Sequence, residues 1–144
     1  MRFSETPYLR PVNYYETDKM AIVHHSNYIR WMEEARLDYM ERAGLDYEEM
    51  ERRGIIMPVT SVSCRYLRSA VYGDTVRIYV KPTLFNGVRA GFGYGIRIGD
   101  DDRDAAVGES SHCFLDTATR VPLNLKKRYP EFYERAIALM EGEA

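Results

Sequence analysis

The chain has 144 residues, of which 45% are hydrophobic and 29% charged, and its formal net charge is -2. That length supports one domain, residues 1–144, with a sizeable core, and the composition argues against disorder. A near-balanced charge gives no global attraction to nucleic acid, and no apolar run reaches the roughly 20 residues of a membrane span.

The first residues, Met1-Arg2-Phe3-Ser4-Glu5, lack the apolar core of a signal peptide, so a cytoplasmic location is expected. Residues 8–15 read as a first strand, with Pro11 marking an edge or an irregularity. From Tyr28 the apolar positions Tyr28, Trp31, Met32, Ala35, Tyr39 and Ala43 recur at three- and four-residue steps, the pattern of one buried helix face. Ser26 or Asn27 is placed to cap that helix and Gly44 to end it. Glu33, Glu34, Arg36, Asp38 and Glu41 fall mostly on other faces and read as a solvated or subunit-facing surface. Asp46 and Glu49 resemble a capping box for a shorter helix closed by Gly54.

After Ile55 the period changes to two. Residues 59–67 alternate around Val62, Cys64 and Tyr66, and residues 75–81 around Val76, Ile78 and Val80. Asn86-Gly87 is a hairpin signal, since both residues tolerate positive φ. Phe92, Tyr94, Ile96 and Ile98 form one face of the next strand, and Gly91, Gly93 and Gly95 leave the other face bare for a close approach by backbone, helix or ligand. Residues 99–104 hold four aspartates, without the spacing of a calcium loop, and read as a solvated turn. A last strand over 106–116 and a terminal helix over 130–140, with Pro130 in its first turn, complete the pattern. A helix followed by an antiparallel meander gives an α+β layer pair, and its uncovered edges predict self-association.

Cys64 and Cys113 have no C-x-x-C partner and read as buried free thiols. Several chemistries lack their motifs: there is no nucleophile elbow, phosphate-binding glycine loop or H-E-x-x-H site. Adjacent His24 and His25 should point apart in extended chain, which disfavours a shared metal. His112 reads as a strand residue with a satisfied hydrogen bond. Asp18 taken alone is a carboxylate in a turn, yet it stands just before a helix N-terminus whose free N–H groups attract developing negative charge. Carboxylate and oxyanion donor from one segment suit hydrolysis of an activated acyl group.

Residues 12–36, with Tyr15-Glu16-Thr17-Asp18, His25-Ser26-Asn27-Tyr28 and Trp31-Met32-Glu33-Glu34-Ala35-Arg36, resemble the hotdog-fold acyl-CoA thioesterases of the 4-hydroxybenzoyl-CoA thioesterase family. Asn86-Gly87-Val88-Arg89 and Gly108-Glu109-Ser110 leading to His112-Cys113-Phe114 extend the resemblance over nearly the whole chain. It implies a hotdog fold, an antiparallel sheet wrapped around a central helix with a C-terminal helix added, and hydrolysis of acyl-CoA without metal or redox cofactor. It also implies Asp18 as nucleophile or general base, and the His25 main-chain N–H as the donor that polarises the thioester carbonyl. The His25 imidazole matches a histidine found in part of the family.

Tyr14, Asn27 and Tyr28 are supporting candidates, and Met20 stands where many relatives have a glycine-containing turn, so it bears on substrate choice. For the phosphates of coenzyme A, Arg89 is the first candidate, followed by Arg65, Arg68, Lys126, Lys127 and Arg128. The resemblance further implies a homodimer or homotetramer with sites at subunit boundaries. A non-catalytic acyl-CoA sensor, or a hydratase or dehydratase using His25 or His112 as base, remains open on the same fold.

Overall fold

In the computed structural model, which describes residues 2–143, a 3-10 turn over Phe3–Glu5 precedes β1 (Tyr8–Pro11). The strand stops at Pro11 instead of continuing to residue 15. A second 3-10 turn, Tyr14–Glu16, takes the chain out of the sheet there.

The helical spacing produces α1 (Ser26–Arg42), which buries Tyr28, Trp31, Met32, Ala35 and Tyr39 as expected. Each large side chain so buried contributes about 1.5–3 kcal/mol relative to exposure. Gly44, at φ +81°, takes the left-handed conformation just past the helix end. Arg36 departs from the solvated face predicted for it: it is buried and donates to the Tyr94 hydroxyl at 3.1 Å. Neither Ser26 nor Asn27 caps α1. His25 occupies the cap position, and the Ser26 N–H donates instead to the His24 ring at 3.2 Å.

Asp46 caps α2 (Tyr47–Arg52) by accepting the Glu48 N–H at 3.1 Å, without a reciprocal bond from Glu49, and Gly54 follows at φ +92°. The chain continues through β2 (Ile55–Ile56), β3 (Val59–Tyr66), β4 (Thr75–Phe85), β5 (Arg89–Ile98), β6 (Ala106–Cys113) and β7 (Leu115–Asp116). It ends in α3 (Leu125–Arg128) and α4 (Pro130–Glu143). The strand expected over 106–116 is two strands, because Phe114 turns into the core and β7 leaves the main sheet to pair with β2. α3 had no counterpart in the sequence pattern.

The main sheet is five-stranded and antiparallel in the order β1-β4-β5-β6-β3, which leaves β3 on an edge. At the β4–β5 hairpin Asn86 Oδ1 accepts the Val88 and Arg89 N–H groups at 3.0 and 2.8 Å, and Gly87 sits at φ +85°. α1 packs on the face carrying Phe92, Tyr94 and Ile96. The bare Gly91-Gly93-Gly95 face points the other way, where Thr83 and Asp104 lie over it. The helix and the neighbouring strand crowd β6 at Gly108: a Cβ there would stand 2.5 Å from Met32 Sδ of α1 and 2.9 Å from the Ser63 carbonyl of β3. Cys64 and Cys113 are free thiols, half-buried and not fully enclosed.

Candidate active site

The segment between β1 and α1 is built from local bonds. Thr17 pairs with Val23, and the Asp18 N–H donates to the Ile22 carbonyl at 2.9 Å, closing a tight loop over residues 18–22. Within it the Ala21 N–H donates to the Asp18 carbonyl at 2.9 Å, and Asp18 Oδ1 accepts the Met20 N–H at 2.8 Å. This reversal puts Ala21, where glycine would fit without strain, at φ +61°.

The loop is anchored through Glu16, which lies in the quoted motif but received no role from the sequence. Glu16 is 3% exposed and receives both Arg10 terminal nitrogens at 3.0 Å, the Asn13 N–H at 2.7 Å and the Trp31 indole N–H at 2.9 Å. Its main-chain carbonyl accepts from the His24 N–H at 2.8 Å and from the Asn27 amide at 3.0 Å. One residue thereby joins β1, the loop and α1. Val23 adds a further tie, donating to the Ala70 carbonyl at 2.9 Å, and the next N–H, that of Ala70, donates to the buried Tyr28 hydroxyl at 2.9 Å.

At the entrance to α1 the His25 main chain is already helical, with φ -54° and ψ -30°. The imidazoles of His24 and His25 therefore stack, with centroids 4.3 Å apart, instead of pointing apart as extended chain would require. The His25 carbonyl accepts from the Tyr28 N–H and from the Tyr66 hydroxyl at 3.2 Å. The His25 N–H donates to no acceptor among the described residues. It is an open donor at the positive end of a helix of 17 residues.

Asp18, Met20, His25 and Tyr28 line one cavity of about 130 Å³, together with Tyr66 and Arg68. Tyr66 was overlooked because its alternation in β3 reads as ordinary strand. Burial and the neighbouring Cys64 push its phenol up to about 12. Arg68, one of the weaker candidates for phosphate binding, stands at this cavity and donates to the Asp104 carbonyl at 2.8 Å.

The remaining candidates lie elsewhere. Tyr14 is exposed and packs its edge against Tyr72 at 5.6 Å, while Asn27 acts as a brace behind the loop. Arg65 is exposed on β3. Arg89 is at the opposite end of the sheet. The register joins Tyr66 to Ala106 and Ala106 to Ile96, and Arg89 precedes Ile96 by seven residues of β5, a span of roughly 23 Å. Lys126, Lys127 and Arg128 share that far end, since α3 is tied to the hairpin by the Leu125 N–H donating to the Gly87 carbonyl at 2.8 Å. Within one protomer these cations do not reach the Asp18 cavity.

His112, on β6, is buried, with its ring 5.5 Å from that of Phe92 on β5. Its Nε2 bonds to Ser110 Oγ at 2.8 Å, Ser110 Oγ to the Tyr94 hydroxyl at 2.6 Å, and Tyr94 receives Arg36. Its Nδ1 lies against the Met57 main chain without a well-formed bond. Burial, and then the Arg36 charge, lower the imidazole to about 4.

The profile of the thioesterase-like superfamily matches residues 12–137. The chain belongs to that superfamily. It is a thioester hydrolase on the hotdog fold. This thioesterase-like chain is 32% identical over 128 residues to YneP of Bacillus subtilis (strain 168), named as a candidate acyl-CoA thioesterase, covering 87% of the chain and 92% of the relative. It is 25% identical over 130 residues to the 1,4-dihydroxy-2-naphthoyl-CoA hydrolase of Thermosynechococcus vestitus, covering 90% and 88%. Among solved structures it is similar to the DHNA-CoA thioesterase of Staphylococcus aureus, with a TM-score of 0.88, 29% identity, and coverage of 94% and 91%. No helix among the described residues is long and apolar enough to cross a membrane.

Proposed function

We propose that this protein hydrolyses acyl-CoA thioesters with Asp18 as the reacting carboxylate and the His25 main-chain N–H as the oxyanion donor. The observation that carries the reading is that Asp18 and His25, the latter with an open N–H, border the same cavity. A thioester carbonyl seated there would have its oxygen drawn to the helix N-terminus and its carbon presented to Asp18 or to a water that Asp18 deprotonates. As negative charge develops on the oxygen, the helix dipole stabilises it more than the ground state. The carbon–sulfur bond then breaks, and the CoA thiolate leaves and takes up a proton. By the nucleophilic route the intermediate is an anhydride on Asp18 that water opens. Neither route calls on a metal or a redox cofactor.

A second copy of the chain completes the site in this reading. β3 lies at the sheet edge beside the cavity, is exposed along nearly its whole length, and presents Val59, Val62 and Tyr66. Pairing there would give a homodimer, or a homotetramer from two such pairs, with the site at the subunit boundary. Arg89 of the neighbouring copy would then be available to the nucleotide end of coenzyme A.

The test is a thiol-release screen over short, long and aromatic acyl-CoAs, the aromatic arm chosen because two similar proteins are named for 1,4-dihydroxy-2-naphthoyl-CoA or its DHNA abbreviation. Asp18→Asn should lower kcat by roughly 10²–10⁴-fold with little change in KM. An unchanged kcat would remove Asp18 from the reaction.

A further inference from the structure

At the opposite end of α1 from Asp18 there is a second, apolar cavity of about 50 Å³, between Tyr39 and Met40 of α1, Phe92 of the sheet, and Ala136 and Met140 of α4. Four of the seven methionines, Met40, Met50, Met57 and Met140, line it. The volume corresponds to roughly four water-sized groups, and with almost no polar wall the cavity favours hydrocarbon over water. Thioether side chains rearrange at low cost, so a cavity walled by methionine adapts to a tail somewhat larger than itself.

Leu139 also lines a neighbouring surface depression of about 350 Å³, whose wall includes Phe3, Ala43, Arg135 and Glu143. Leu139 therefore borders both the hydrocarbon pocket and this charged mouth. The two charges in the mouth differ in availability. Glu143 accepts the Phe3 N–H at 2.7 Å, the Ser4 N–H at 3.2 Å and the Ser4 hydroxyl, which occupies its carboxylate. Arg135 makes one long bond to the Gly44 carbonyl, at 3.3 Å, and lies over the Phe132 ring at 5.5 Å, with no carboxylate at ion-pair distance among the described residues. An exposed guanidinium without an anion beside an apolar hole matches a molecule with a single negative head and a hydrocarbon tail.

We propose that this is a second binding site, for a short- to medium-chain aliphatic monocarboxylic acid, with its carboxylate on Arg135 and its tail passing Leu139 into the methionine-lined cavity. Such an acid is the class of product that thioester hydrolysis releases. That connection rests on the proposed hydrolysis, whereas the cavity and its cation do not.

The experiment titrates sodium octanoate into the full chain carrying isotope-labelled methionine methyl groups. Saturable movement of the Met40, Met50, Met57 and Met140 resonances is expected, with Met32 unmoved. Arg135 is exposed, so Arg135→Gln should fold normally, and it should weaken octanoate binding by about tenfold or more. Octanol, which has the tail without the charge, should bind the parent about as weakly as octanoate binds that variant. Movement confined to Met20, beside Asp18, would overturn the proposal, as would no movement at all or equal octanoate affinity in parent and Arg135→Gln. Octanoate bound at the four methionines by a protein that releases thiol from no acyl-CoA would sink the hydrolysis reading and leave the site. Thiol release without that binding would sink the site alone.

Discussion

Asp18 stands at two places at once: its Oδ1 holds the Met20 N–H, and the residue borders the cavity. The Oδ1 bond joins the main-chain bonds of residues 18–22 in closing the reversal that leaves Ala21 at φ +61°. A non-glycine residue in that conformation costs about 1–2 kcal/mol, partly offset because glycine loses more chain entropy on folding. Ala21→Gly should therefore stabilise the protein by up to about 1 kcal/mol, a rise in Tm of roughly 2–4 °C for a chain of this size. Thermal unfolding of parent and variant side by side checks this, and a fall in Tm would mean that the Ala21 methyl makes contacts worth more than the strain. The sequence drew attention to this turn for the bulk of Met20. The strain sits one residue later, which only the backbone angles reveal.

At the scale of elements, α1 was legible because its information is local: apolar spacing, a glycine at the end and a length sufficient to show both. The loop before it was legible only in part. Asp18 and His25 stand out by their place before a helix, but Glu16 looks like any surface glutamate until Arg10, Asn13 and Trp31 converge on it from both sides. Arg36 was assigned to solvent for a similar reason, since the hydroxyl that receives it comes from Tyr94, 58 residues away. Removing one partner of a buried ion pair typically costs 3–5 kcal/mol; here Arg10 keeps its 3.0 Å bond to Glu34, which holds the loss to the low end of that range, about 3 kcal/mol. Glu16→Ala should thus destabilise by about 3 kcal/mol in urea unfolding. Below its lowered transition it should also reduce kcat by roughly 10- to 100-fold, because the segment holding Asp18 against the helix N-terminus is no longer fixed. Glu16→Gln keeps an acceptor for Asn13 or Trp31 and should recover part of both losses. If kcat survives Glu16→Ala in the folded enzyme, the loop is held by main-chain bonds that the variant keeps, those of the residue-16 carbonyl to His24 and Asn27 and that of Val23 to Ala70.

On the scale of the whole molecule, the five strands of the main sheet and the alternation of β4 and β5 could be read from the chain, but the β2–β7 pair and the strand order could not. β3, expected to alternate around Val62, Cys64 and Tyr66, is exposed along nearly its whole length because it is an edge strand. That β3 joins the far edge next to β6, and that the last strand divides at Phe114 to pair with β2, depend on contacts between distant segments. The same long-range packing encloses Arg36, Tyr94, Ser110 and His112, where a cation with no carboxylate at ion-pair distance among the described residues lies near an imidazole. Both burial and that cation oppose protonation of His112, so its folded value lies near 4 against an ordinary 6.5. Between those values the unfolded chain binds a proton that the folded chain refuses. The associated stability is complete above about pH 6.5, is lost as pH falls toward 4, and amounts to about 3 kcal/mol over that window. Urea unfolding at steps across the window should show the parent weakening more steeply than His112→Gln, which keeps a polar group for Ser110 and cannot take up the proton. Exposed His24 and His25 are common to both proteins, as are all the carboxylates, so the difference between the two curves isolates His112. Parallel curves would mean that His112 titrates normally, and that water reaches the chain of hydroxyls between it and Arg36.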